Sequence, residues 1–223
     1  MTHPTQHGIM TSLLKRSPRR YSELRPKDVE GNVFMYHLRE VMAAGLVEKV
    51  EGGYGLTSGG KKYVEALSSE TLQPHEQPYI LVDIACKNES GEWLLFRQGR
   101  QPFDGLVGFP SGLVRAGEPV LEQAQGELMA KTGLTASLHY AGTVISTTLE
   151  DDGVSNAVLS LVYRGIVKGG ELRPGEYHGQ AFWKKLDQAE LAKSEYFPAL
   201  AKVVEQLERT SPEELFFGEH VFQ

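Results

Sequence analysis

Gly108-Phe109-Pro110-Ser111-Gly112-Leu113-Val114-Arg115-Ala116-Gly117-Glu118-Pro119, running directly into Val120–Thr132 and Gly133-Leu134, is the stretch on which the fold turns. Glycines and prolines punctuate its first part as a loop, whereas Val120–Thr132 reads as a helix. Glu118 stands just ahead of that helix, where a negative charge favours its start. Inside it Glu127 precedes Lys131 by four residues, the favourable order for an ion pair along one helix face. Glu122, on the same helix, reads as an exposed acid.

Outward from this stretch, apolar segments alternate with turns over residues 79–86, 93–96, 137–140, 143–148, 156–167 and 181–183, and helix is expected over 187–191 and 199–207. The pattern predicts a mixed sheet packed by helices. With 40% hydrophobic and 23% charged residues in 223, disorder, collagen and coiled coil are excluded. No apolar run approaches the ~20 residues of a membrane span, and the start lacks the order of a secretory signal, so a cytoplasmic protein without membrane association is expected. Cys86, the single cysteine, has no partner for an internal disulfide and reads as a buried thiol. One cysteine and scattered histidines do not assemble a zinc site.

Charge divides the chain. Residues 1–70 carry 10 basic against 8 acidic side chains, a net of +2, leaving 13 against 21, or -8, for residues 71–223. Residues 68–78 are polar and broken by Pro74 and Pro78. They read as a linker, so the expected division is residues 1–72, a linker at 73–78, and residues 79–223. The first part reads as helix, helix, helix, hairpin, helix. In the third helix Phe34, Leu38, Val41 and Met42 recur at helical spacing toward a core, leaving Asn32, Met35, Tyr36, Arg39, Glu40 and Ala43 outward. Gly45 stops that helix, residues 46–50 alternate, residues 51–53 turn, and residues 54–57 return.

This order, with Tyr36-His37-Leu38-Arg39-Glu40-Val41 running toward Ala44-Gly45-Leu46-Val47-Glu48, resembles a winged helix-turn-helix DNA-binding domain over residues 5–67. The resemblance implies that Asn32, Tyr36 and Arg39 reach base edges, while Arg16, Arg19, Arg20, Lys49 and Lys61 contact phosphates of double-stranded DNA. The alternative is a winged helix used for protein contacts or dimerisation.

The central stretch resembles the Nudix box: glycine, five residues, glutamate, seven residues, then Arg-Glu-apolar-x-Glu-Glu-x-Gly-apolar. Aligned from Gly112, the first glutamate falls on Glu118, the helix glutamate on Glu127, the apolar position on Leu128, and the closing pair on Gly133 and Leu134. The family arginine is Gly126 here, and the paired glutamates are Ala130 and Lys131. The resemblance implies an α/β/α sandwich with a mixed sheet, giving an α+β protein of two domains. In the family, carboxylates three and four residues apart hold Mg²⁺ or Mn²⁺ against a diphosphate and help activate water. Lys131 instead neutralises Glu127 and repels a cation.

A binding cleft without metal is therefore expected to use Arg97, Arg100 and Lys131 as cations, Phe103 and Tyr140 as stacking surfaces, and Glu118 and Glu127 as ligand contacts. Asp151-Asp152-Gly153 reads as a turn, and His178 and Trp183 have no spacing partner that makes them catalytic. The combined expectation is a ligand-responsive, homodimeric transcription regulator with no catalytic residue and no cofactor, whose effector is a nucleotide-like or sugar-phosphate metabolite. It resembles in its parts a class of Nudix-related regulators that usually carry the Nudix domain first, the reverse of this chain. One alternative is an Mg²⁺-dependent Nudix hydrolase of a nucleoside diphosphate derivative, recruiting Glu150 or Glu176 beside Glu118 and Glu127. Another is a non-catalytic interaction module.

Overall fold

The computed structural model describes residues 3–67, 77–151, 153–173 and 179–222. The chain forms two compact units, residues 1–76 and 77–223. Most of the expected linker, together with Asp152, Glu176 and His178, lies outside the described residues.

In the first unit, α1 (Pro4–Lys15), α2 (Tyr21–Leu24) and α3 (Gly31–Ala43) lead into the hairpin β1 (Val47–Val50) and β2 (Gly53–Leu56), then α4 (Ser58–Glu65). Ile9, Met10 and Leu13 of α1 meet Leu24 of α2, Phe34, Leu38 and Val41 of α3, Val47 of β1 and Val64 of α4 in one core. At roughly 1.5–3 kcal/mol for each large apolar side chain removed from water, this contact holds the short helices in place, since helices of this length are marginal alone. Met42 packs partly against the core, and so does Met35, which the spacing had directed outward. His37 is buried on the same face, stacked on the His3 ring at 3.8 Å between centroids. Asn32, Tyr36, Arg39, Glu40 and Ala43 are exposed. Arg19 and Tyr54 exchange backbone hydrogen bonds of 2.9 and 2.8 Å, so the segment before α2 is tied to the two-stranded hairpin by a single antiparallel bridge.

The second unit is an eight-stranded mixed sheet in the order β10-β7-β8-β3-β4-β5, with β6 on β3 and β9 on β4. Its strands are β3 (Tyr79–Lys87), β4 (Trp93–Gln98), β5 (Val107–Gly108), β6 (Ser111–Leu113), β7 (Leu134–Glu150), β8 (Gly153–Gly170), β9 (Gly179–Lys184) and β10 (Phe216–Phe222). The segments expected at 137–140 and 143–148 are one strand, β7, carrying a register shift between Tyr140 and Gly142. Helix α5 (Val120–Thr132) covers one face, and α6 (Gln188–Leu191) and α7 (Pro198–Arg209) belong to the other. Alternation in the central strands serves both layers: Val82, Ile84, Cys86 and Leu94 pack with Ala124 and Leu128 of α5. Ala85, Trp93 and Leu95 pack with Leu200, Val203, Val204 and Leu207 of α7. Arg164 donates from both terminal nitrogens to the Leu207 and Thr210 carbonyls at 2.9 and 3.2 Å, satisfying the end of α7.

One irregularity positions the site. β3 and β4 pair only at Lys87 and Trp93. Further along, Leu81–Asp83 pair with β6 and Phe96–Arg97 pair with β5. The sheet thus opens between its two central strands, and the segment from Val107 to Leu113 crosses the opening, anchored by Ile84 N–H donating to the Pro110 carbonyl at 2.9 Å.

Candidate functional site

Beside this opening, β6, the following loop and α5 bring the box residues together. Gly117 takes the left-handed conformation (φ 87°), turning the chain toward α5. Gln123 is buried and clamps the loop from the helix. Its side-chain nitrogen donates to the Arg115 and Glu118 carbonyls at 3.0 and 2.8 Å, and its oxygen accepts from the Arg115 N–H at 2.7 Å. Gly112 is a close-approach glycine: a Cβ there would lie 2.4 Å from Cγ and Cδ of Glu127, so the loop and the helix carboxylate share one space.

Both carboxylates kept from the box are ion-paired within the chain. Arg115 holds Glu118 through Nε and Nη2 at 3.0 and 2.9 Å and reaches Glu127 Oε1 at 3.5 Å through Nη1. The Arg115 guanidinium accordingly holds the Glu118 carboxyl below its usual range. Glu127 Oε2 faces Lys131 Nζ at 3.8 Å. Lys131 is turned inward: its ammonium donates to the Ser111 carbonyl and sits 5.3 Å from the centre of the Phe96 ring. Burial lowers its pKa, while the charges of Glu127 and Asp83 oppose that shift. Asp83, on β3 opposite Ser111 of β6, is pushed up to about 6 by burial, against a hydrogen bond from Ser160 and the charge of Lys131.

The other expected ligand contacts are placed as follows. Arg97 Nη2 binds Glu195 at 2.8 Å and Nη1 the Gly105 carbonyl at 2.9 Å, so its charge is committed to holding the segments that flank β5. Arg100 is exposed and close enough to Lys131 to lower its pKa. Phe103 is partly exposed and packs edge-on against Phe197 at 5.5 Å. Tyr140 lies edge-on to Tyr163 at 5.8 Å, and its hydroxyl contacts that of Thr143. Trp183 packs against the core beneath α5. Glu150 and Asp151 are exposed at the turn between β7 and β8. In the first unit Arg16, Arg20, Arg39, Lys49 and Lys61 are exposed with Asn32 and Tyr36, whereas Arg19 is partly buried with its Nε unpartnered. Sequence pattern alone does not single out Asp83, Arg115, Gln123 or Ser111. Arg115 lies inside the box spacing, three residues before Glu118, and was legible as its ion partner; Asp83 is joined to the site only through strand pairing.

Metal-dependent hydrolysis needs several carboxylate oxygens free to bind Mg²⁺. The residues present do not fit it. Glu118 and Glu127 are bound by Arg115 and Lys131, and among the described residues no three carboxylate, imidazole or thiolate side chains converge.

The NUDIX domain family model matches residues 79–207. A search of curated proteins finds no match. Similar solved structures include a MutT protein from Bacillus halodurans (TM-score 0.52, 20% identity, 65% of this chain and 90% of that one). A MutT protein from Methanosarcina mazei Go1 gives a TM-score of 0.50 at 25% identity, over 60% of this chain and 96% of that one. The NUDIX domain of NrtR from Shewanella oneidensis, solved with ADP ribose, gives 0.49 at 16% identity, over 69% of this chain and 98% of that one. The family model covers more than half of the 223 residues, and the strand-loop-helix of residues 107–132 lies within it, so the chain belongs to the Nudix family.

Proposed function

We propose that this protein is a ligand-responsive transcription regulator whose Nudix unit binds a nucleotide-like or sugar-phosphate metabolite without hydrolysing it, and whose first unit binds double-stranded DNA as part of a homodimer. The observation that carries the reading is the internal neutralisation of Glu118 and Glu127 by Arg115 and Lys131. A hydrolase gains nothing from an ammonium where it needs a metal, whereas a sensor that must not consume its effector does. The first unit supports the other half of the reading. Three helices, a hairpin and the Arg19–Tyr54 bridge follow the order expected of a winged helix, and α3 carries Asn32, Tyr36 and Arg39 on its exposed side. A two-fold dimer of such units suits a palindromic operator.

Two assays test this. In a thermal-shift screen against ADP-ribose, NAD, nucleoside diphosphate sugars and sugar phosphates, with Mg²⁺ or with EDTA, a metabolite is expected to raise the melting temperature in EDTA and to be recovered intact. Selection from random duplex DNA is expected to enrich a palindromic sequence. Mg²⁺-dependent turnover would return the protein to the hydrolases, and failure to enrich any sequence would remove the regulator reading.

A further inference from the structure

We infer that the Lys131 ammonium is a built-in substitute for a divalent cation: it occupies a site lined by carbonyl and carboxylate oxygens and makes this Nudix unit indifferent to Mg²⁺ and Mn²⁺. The oxygens around it come from three elements: the Ser111 carbonyl of β6, Glu127 Oε2 of α5 at 3.8 Å, and the Asp83 carboxyl of β3 within electrostatic reach. A main-chain carbonyl and two carboxylates are hard oxygen donors of the kind that Mg²⁺ and Mn²⁺ take. Here the carbonyl and the Glu127 carboxylate face an ammonium, whose three N–H groups seek the same acceptors, and Asp83 adds its charge.

The surroundings agree. Lys131 is largely shielded from water, with 12% of its side chain accessible. An isolated charge so placed is costly unless paired, and here the Glu127 carboxylate at 3.8 Å, with the charge of Asp83, compensates it. The Phe96 face at 5.3 Å adds a further attraction for a cation. Formal charge closes as well: Asp83, Glu118 and Glu127 are matched by Arg100, Arg115 and Lys131, the six charged groups that the contacts and mutual charge effects link at this site. A divalent ion added to that set meets repulsion from Lys131 with no uncompensated carboxylate to offset it. Removing the ammonium leaves two carboxylates and a carbonyl in place, one substitution from a cation site.

This deepens the proposed function, in which the effector binds without metal, yet its test needs neither effector nor DNA, so either idea can fail alone. Full-length protein is titrated with Mn²⁺ and the free-ion electron paramagnetic resonance signal is followed. The wild type is expected to leave the signal unchanged at millimolar Mn²⁺. Lys131→Glu is expected to take up one Mn²⁺ per chain, at least tenfold more tightly than any uptake by the wild type. Adding Glu127→Gln to that variant is expected to abolish most of the gain. Lys131→Gln, closer in size to lysine, is expected to bind weakly but measurably and carries the test if Lys131→Glu does not fold. One Mn²⁺ bound per wild-type chain, or no uptake by a Lys131 variant whose circular dichroism and tryptophan fluorescence are native, overturns the inference.

Discussion

Asp83 shows how one residue sets the character of this site. Strand pairing places it opposite Ser111, within electrostatic reach of Lys131, where burial lifts its pKa from the ordinary 3.8 to about 6. Between these values the folded chain holds a proton that the unfolded chain has lost, so stability must fall as pH rises through the window. The contribution is full below about 3.8 and lost above about 6; between pH 5 and 7 a shift of this size is worth about 1 kcal/mol. The tryptophans are Trp93 and Trp183, both in the second unit, so their fluorescence follows that unit alone. Urea midpoints read by tryptophan are expected to decline from pH 5 to pH 7 in the wild type and to stay level in Asp83→Asn. An equal decline in both would assign the slope elsewhere. Glu127 and Lys131 were legible as a pair because four residues along a helix is a contact. Asp83 was not, because it lies 48 residues from Lys131 in the chain and only the sheet makes them neighbours.

At the scale of elements, close backbone approach decides how the first unit is built. Gly60 of α4 is buried, and a Cβ there would lie 1.9 Å from the Leu46 carbonyl oxygen, a backbone atom that cannot swing aside. Thr57 caps the same turn by accepting from the Gly60 N–H at 2.9 Å. Gly60→Ala must therefore lift α4 off the strand entry, at a cost of roughly 2–4 kcal/mol. The expected result is early loss of helical circular dichroism with an unchanged tryptophan-detected midpoint; coincident loss of both would contradict it. Periodicity carried the long elements: α5 runs over Val120–Thr132 as read, and the hairpin and α3 follow their apolar spacing. Strands of two and three residues, such as β5 and β6, are too short to show a period, and the Arg19–Tyr54 bridge joins residues 35 apart. β10 escaped because its parallel pairing with β7 is set by the layer around α7, where Phe216 enters the core.

For the whole molecule, the charge balance constrains the proposed DNA binding. Residues 1–70 carry only +2 within a chain of net charge -6, so non-specific attraction to phosphate is weak, and the proposed DNA binding would have to draw its affinity from a few contacts and from pairing two copies on one site. Arg39 is exposed on α3 and carries no ion pair among the described residues. If it reads a base edge, Arg39→Ala weakens binding to the selected sequence by about 1–3 kcal/mol while binding to random duplex changes little. In a regulator, effector and DNA binding are also linked through the chain. An effector that alters DNA affinity by some factor must have its own affinity altered by the same factor when DNA is present, typically 5- to 150-fold, or about 1–3 kcal/mol. Fluorescence anisotropy of labelled operator with and without the effector measures one side, and calorimetric titration of effector into free and operator-bound protein measures the other. Equal, non-unit factors are expected, together with an Arg39→Ala variant that keeps its effector affinity in the absence of DNA. A factor of one on both sides would leave two functional units with nothing passing between them, and the sensor role of the Nudix unit would have to be given up even if both ligands bind.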